Sequence, residues 1–441
     1  MIQHSLTVPQ SAAGKLRIEE LADHVPDGLV LGGVDQTLRL AAQYTTACSS
    51  GRIQMIGSTR SGEPLTMCSL GTGPVHVLVL GGPHSNEPIS GATVPQLLSV
   101  LATAFQAGDR RLAPFTFDVV AVWDLDGARL CSGATRPDLL GYHREFFRAA
   151  AADQPEWSFP VNGGDPVLLP ETRAVMDVID DIAPVAVVSL HNADIAQGAY
   201  LTSTGLPPNL AARLSLLPAR FGIPLDRAPS DGADWPEPAP GVRVMPPTHR
   251  LDAACSLHYA ARRGAAFGLI TEAPQWYITP PPTPDLDTWT RQMDTLAGRA
   301  RHALDPLVPT VEDLARTFPA CQVGQAARFF LEHADEQITH ALRDEPPVLP
   351  EARQVRWRAE WVKLHRIPLR VAGLVLTLAR PHPCHHPLRE RVRAHADDVL
   401  RAGVTALSEQ AAPTPVPLHL AVKLQLATTL SLARSAQEVY A

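Results

Sequence analysis

Lysine is almost missing from this chain. Lys15, Lys363 and Lys423 are the three lysines among 38 basic residues, so nearly all positive charge is carried by arginine. An excess of basic charge is missing too. The formal net charge of -7 argues against a dedicated nucleic-acid binder, which needs a basic surface to neutralise phosphates. The six cysteines (Cys48, Cys68, Cys131, Cys255, Cys321 and Cys384) include no CxxC pair and no dense framework, which excludes a disulfide scaffold and reads as reduced thiols. No stretch approaches the ~20 apolar residues of a membrane span. The opening MIQHSLTVPQ lacks both the charged and the apolar region of a signal peptide, so a cytoplasmic location without membrane contact is expected.

What is present is the composition of a soluble globular protein with a substantial core. The chain has 441 residues, 45% hydrophobic and 19% charged, which leaves room for two or three domains or one large domain with an appendage. The arginine bias means that any anion site will be built from guanidinium groups, which grip carboxylates with two parallel N–H bonds.

The first two-thirds alternates strand and helix signals. An amphipathic helix is predicted around Asp35–Tyr44 and a strand around Ile53–Gly57. Val75–Leu80, Thr116–Trp123, Val185–Leu190 and Phe267–Thr271 are apolar at nearly every position, as strands buried on both faces should be. Glu87–Gln106 and Glu171–Ile182 carry apolar residues at helical spacing. The pattern predicts an α/β fold, with a mostly parallel mixed sheet and helices on both faces. Two long connections, Asp124–Pro170 and Ala228–Arg250, interrupt it, and long irregular loops are usually functional or disordered. Beyond the Pro-rich ITPPPTPDLDTW the pattern turns helical, so residues 1–283 are expected to form a catalytic domain and 284–441 a helical C-terminal domain.

Three potential metal ligands converge in this reading. Strand Val75–Leu80 leads into GGPHSNEP, with His84 and Glu87 three residues apart, and strand Val185–Leu190 runs directly into His191. In an open parallel sheet ligands bind beyond the carboxyl ends of the strands, so these residues are expected at one edge. Two imidazoles and a carboxylate are a three-ligand zinc set with a fourth position open. Strand Phe267–Thr271 leads into Glu272, whose carboxylate could take a proton from water and pass it to a leaving amine.

These residues together resemble the zinc carboxypeptidases of the M14 (funnelin) family: HxxE at His84–Glu87, His191 in SLHN and Glu272 in TEAP. VDQTLRLAAQY, IGSTRSGEPL and PETRAVMDVID look like family elements, and DLDGARL like its "NPDG" segment, with Asp124 and Leu125 in place of Asn and Pro. The resemblance covers roughly Asp35 to Glu272. It implies one zinc ion, Glu272 as general base, and a peptide or small carboxylate-bearing amide as substrate. It also implies that Arg144, with His143 where the family has Asn, clamps the substrate carboxylate, and that Arg129 or Arg136 stabilises the oxyanion. The family's substrate-capping Tyr has no counterpart between Tyr200 and Tyr259, where His249 and Arg250 stand. Leu257 and His258 occupy the pocket stretch without an acidic group, which gives no support to a preference for basic C-terminal residues.

Two further clusters read as structural. His382, Cys384, His385 and His386 share one Pro-punctuated turn where adjacent side chains diverge, and no Cys pair follows. Arg353, Arg356, Arg358, Lys363, Arg366 and Arg370 are expected on the solvated face of a helix whose Trp357 and Trp361 pack inward. Oligomerisation through the C-terminal helices is open. An N-acyl amino acid deacylase of the succinylglutamate desuccinylase or aspartoacylase branch is the alternative activity, since its "GxHGNE"-like loop resembles GGPHSNEP. A metal-poor protein that only binds a peptide tail is the non-enzymatic one.

Overall fold

The computed structural model describes residues 17–131, 135–161, 168–247, 254–317, 321–343, 345–379 and 387–440. A 3₁₀ turn, Ile18–His24, leads to α1 (Val34–Ala47), β1 (Arg52–Ser58), β2 (Pro64–Gly71), β3 (Val75–Leu80), α2 (Ile89–Gln106) and β4 (Phe115–Val120). The long connection that follows holds α3 (Leu125–Leu130), α4 (Leu139–Arg144) and two short 3₁₀ turns, Ala151–Asp153 and Pro155–Trp157. Then come α5 (Pro170–Ile182), β5 (Ala186–Ala196), β6 (Tyr200–Ser203), α6 (Pro208–Ser215), α7 (Leu217–Arg220), β7 (Val242–Val244), α8 (Ser256–Arg262) and β8 (Phe267–Tyr277). The remainder is α9 (Leu286–Leu304), α10 (Val308–Thr317), α11 (Gln322–Arg343), α12 (Pro350–Leu378), α13 (Pro387–Ala411), the two-residue β9 (Thr414–Pro415) and α14 (Leu418–Tyr440).

The sheet is mixed, in the order β1-β2-β4-β3-β5-β8-β6-β7 with β9 on β8. Its centre, β4-β3-β5-β8, is parallel, while β1-β2, β2-β4 and β6-β8 are antiparallel. Successive residues of a strand point to opposite faces, and both faces are filled. Val75, Val77 and Val79 of β3 enter one core with α2, whereas Leu78 and Leu80 enter another with α5 and α8. This two-sided burial explains why β3 has no polar alternation except the half-buried His76.

The helical region is not a separate body. Helices α9, α11 and α12 build their own core, but Phe146 and Phe147 after α4, Ile195 of β5 and Trp276 of β8 belong to the same core. The last helix, α14, goes back to the sheet and fills the core with α2 and β3. Most of its residues are buried, and its sequence is apolar or small nearly all round, as a fully enclosed helix requires. Trp357 and Trp361 pack inward, 3% and 2% exposed. Among the described residues no disulfide joins Cys48, Cys68, Cys255 or Cys321 to one another. Among the described residues no helix is long and apolar enough to cross a membrane. His249, Arg250, His382, Cys384, His385 and His386 lie outside the described residues.

Candidate metal centre and its cavity

A two-glycine turn after β3 sets up the first half of the site. A side chain at Gly81 would come within 2.6 Å of the Ala121 carbonyl, and Gly82 has φ +56°, the left-handed region that glycine adopts without strain. The turn sends His84 and Glu87 over the sheet just before α2. The other half comes from two strands that run on past the expected ends. β5 continues to Ala196 and β8 to Tyr277, so His191 and Glu272 lie within strands as direct register partners. The polar Asn192 and Asp194 that follow His191 each find a partner inside the protein. Asn192 accepts the Ile89 N–H (3.0 Å), and Asp194 takes Arg370.

The ligand atoms of His84, Glu87 and His191 lie within 4.8 Å of one another, and all three residues are buried. Oε2 of Glu87 is 3.2 Å from Nδ1 of His191, and Oε1 of Glu272 is 3.6 Å from that nitrogen. On the far side of the ring, Nε2 of His191 is 3.8 Å from Oε2 of the fully buried Glu156. Burial opposes a charged His191, but the charge of Glu87, with Glu156 and Glu272, outweighs it and raises the imidazole to about 10. Burial, reinforced by the charge of Glu87, pushes Glu272 up to about 8. His84 goes the other way, well below the usual histidine value, through burial and the nearby charges of Arg148, His191 and Arg370. A neutral imidazole is the form that ligates metal.

These residues fit a divalent cation. Among the described residues, both ring nitrogens of His84 and Nε2 of His191 are buried without a hydrogen-bond partner. Leaving such atoms unmatched costs about 1–3 kcal/mol each, and a metal bond would relieve one nitrogen of His84, whereas Nε2 of His191 faces Glu156 and its Nδ1 is the nitrogen beside Glu87. The raised His191 makes the same point, because the carboxylates around it call for positive charge.

The cluster opens into a cavity of about 790 Å³, roofed by α11 and α12 of the helical region and by the loop carrying Asp231 and Trp235. The basic run on α12 departs here from the solvated face expected of it. Lys363 and Arg366 are 7% and 5% exposed, and both line the cavity with Arg370. Three carboxylates make this affordable, Asp194 and Glu360 buried and Asp231 exposed on its outer side. Asp194 takes Nε and Nη2 of Arg370 at 2.9 and 3.0 Å, Asp231 takes Arg366 at 2.7 Å, and Glu360 takes Lys363 at 2.9 Å.

The arginines suggested by the resemblance sit elsewhere. Arg144 points to α13, where Asp397 takes Nε and Nη2 at 2.8 and 3.1 Å, and it does not line the cavity. Arg136 pairs with Glu145 at 3.0 Å. Arg129 is held by Glu63 and Asp35 and lines a smaller cavity of about 460 Å³ that also reaches His84 and Glu87. His143 is fully buried, with Nδ1 2.9 Å from the Leu139 carbonyl oxygen and Nε2 3.8 Å from Asp194. In each case a nearby carboxylate or carbonyl claims the group. Leu257 is packed in a small apolar cluster, and Nδ1 of His258 lies 3.3 Å from the Cys255 sulfur.

Other residues at the site were not picked out from the sequence. Arg148 donates to Glu87 (2.7 Å), Asn86 (3.2 Å) and Gln154 (3.2 Å). Glu156 accepts from Ser189 Oγ, Ser256 N and Ser256 Oγ at 2.9, 3.0 and 2.7 Å. Tyr200 is the register partner of Glu272 on β6 and lines the cavity. From α14, Gln425 donates to the carbonyl of His191 at 2.6 Å. Only Arg148 had a cue, since it lies four residues past Arg144 in the same arginine-bearing segment.

No protein-family model matches the sequence, and no curated protein does. Among solved structures, a Shewanella baltica protein assigned as a metallopeptidase aligns with 14% identity and TM-score 0.41, over 55% of this chain and 84% of its own. A metallo-carboxypeptidase from Burkholderia cenocepacia aligns with 19% identity and TM-score 0.35, over 55% and 60%. The carboxypeptidase A of Helicoverpa armigera aligns with 15% identity and TM-score 0.38, over 56% of this chain and 66% of that one.

Proposed function

We propose that the protein is a metal-dependent amide hydrolase acting on peptides or small carboxylate-bearing amides, with one zinc ion held by His84, Glu87 and His191. The observation that carries this reading is the buried His-Glu-His cluster, with unpartnered imidazole nitrogens and a second carboxylate, Glu272, beside it. Two nitrogens and one oxygen suit zinc, which would supply Lewis-acid polarisation of the amide carbonyl and an acidified water. Glu272 would accept the proton of the attacking water and return it to the leaving nitrogen. Its raised affinity for protons suits a group that must both take and give one near neutral pH. Arg148 fixes Glu87, and Gln425 fixes the backbone of His191.

Removal of single C-terminal residues from peptides is the first reading of the activity. Deacylation of N-acyl amino acids is the second, favoured by the helical roof over the cavity, which suits short substrates. The test is metal quantification followed by a paired screen of short peptides and N-acyl amino acids. About one zinc per chain, and hydrolysis lost on chelation and regained on zinc, is the expected result. A protein that stays metal-free when purified and reconstituted with zinc would instead support the peptide-tail-binding alternative.

A further inference from the structure

Helix α12 turns one face toward the metal-binding cluster, and Lys363, Arg366 and Arg370, spaced by three and four residues, all lie on it and line the cavity. The way Arg370 is held separates it from an ordinary ion-pair strut. Asp194, itself fully buried, takes the Nε–Nη2 edge of the guanidinium, and Nη1 has no hydrogen-bond partner among the described residues. The end-on edge of a planar fork is thereby held rigid and open. Arg148 lines the same cavity. Its Nε and Nη1 are used by Gln154, Asn86 and Glu87, and its Nη2 has no hydrogen-bond partner among the described residues. Both side chains are mostly covered, at 15% exposure for Arg148 and 14% for Arg370. Two preorganised guanidinium groups with open nitrogens, lining one cavity with a hydrolytic cluster, match a planar carboxylate.

We propose that Arg148 and Arg370 form a carboxylate clamp, so that the helical region supplies half of the substrate-recognition site. The substrate class is then a small amide whose free carboxylate lies close to the scissile bond. This deepens the hydrolase reading and rests on it, and it places recognition on residues other than Arg129, Arg136 and Arg144.

The test is calorimetric titration of the zinc-reconstituted full chain with succinate and, separately, with its neutral diamide. Succinate should bind the wild type and the diamide should not. Arg370→Lys keeps a charge for Asp194 but loses the second edge, and Arg148→Lys does the same toward Glu87. Each should weaken succinate by about tenfold or more, because a charge-assisted hydrogen bond to the carboxylate is lost, with metal content and melting temperature kept. Arg144→Gln should leave succinate affinity unchanged. No succinate binding by the wild type, equal binding of the diamide, or wild-type affinity in both lysine variants would overturn the clamp. Absence of zinc uptake would instead count against the hydrolase reading, and succinate titration of that metal-free protein still reads the clamp. If Arg370→Lys fails to fold, Arg148→Lys decides.

Discussion

His191 and Glu272 are register partners on adjacent parallel strands, so their side chains rise from the same face of the sheet with 3.6 Å between Nδ1 and Oε1. One residue of strand slip would turn either away from the other. Their roles should separate by mutation. Glu272→Gln keeps size and burial but loses the proton-accepting oxygen, so amide hydrolysis should fall by roughly 10²–10⁴-fold. Zinc content should stay at the wild-type level. His191→Ala should lose both. Measuring metal per chain beside turnover checks this, and full activity in Glu272→Gln would refute the proposed proton transfer.

The same pair sets a pH dependence for the metal-free protein. His191 is raised to about 10 in the fold from an ordinary value of 6.5, so its contribution is complete below about pH 6.5 and is lost as pH rises toward 10. Glu272 is raised to about 8 from 4.5, so the folded state also holds a proton there that the unfolded chain has released. Both terms have one sign: stability falls as the pH rises wherever the native state binds more protons. Thermal melts of chelator-treated protein should therefore drop from pH 6.5 to pH 8, less steeply in Glu272→Gln. Zinc, competing with the His191 proton, should bind more tightly over the same interval.

Much of this arrangement was legible because strong local patterns carried it. Val75–Leu80 is too apolar to be anything but buried, and HSNE follows a glycine turn where a parallel sheet binds ligands. What was hidden depends on partners far away in the chain. Asp194 carries no signal of its own until Arg370 is brought to it, and Lys363 and Arg366 read as solvated until Asp231 and Glu360 are seen to neutralise them. Arg144 illustrates the opposite error. A motif marks its position, but Asp397 on a distant helix decides where its guanidinium goes.

Glu156 gives a sharper check on how the site is organised. It is fully buried, held by Ser189 and Ser256, and lies 3.8 Å behind Nε2 of His191. A carboxylate behind a ligating imidazole fixes its ring and tautomer and increases its basicity. Glu156→Gln should weaken zinc binding by about 10–100-fold, measured by competition with a chromogenic chelator. Ser256 can still donate to the amide oxygen and the Ser189 hydroxyl can turn to accept from the amide nitrogen, so the fold should persist, as read by circular dichroism. Unchanged zinc affinity would make Glu156 a packing residue only.

The path of α14 predicts how the chain tolerates truncation. A chain ending at residue 283 would keep all three metal-binding side chains and Glu272, but it would lose the helix that fills the sheet face against α2 and β3. It would also lose Gln425, which holds the His191 carbonyl at 2.6 Å and accepts from Thr93 at 2.5 Å, and Thr428, whose hydroxyl meets that of Thr271 at 2.8 Å. Each leucine-sized side chain removed from such a core costs about 2–5 kcal/mol, and α14 buries Leu424, Leu426, Leu430 and Leu432, so the loss is of the same order as the whole ~5–15 kcal/mol by which domains are usually stable. Residues 1–283 alone should therefore be insoluble or lack a cooperative melt, and should fail to hold zinc. Gln425→Ala in the full chain should fold and show the smaller effect, a weakened metal affinity. A soluble, zinc-binding 1–283 fragment would show that the helical region is an independent appendage after all.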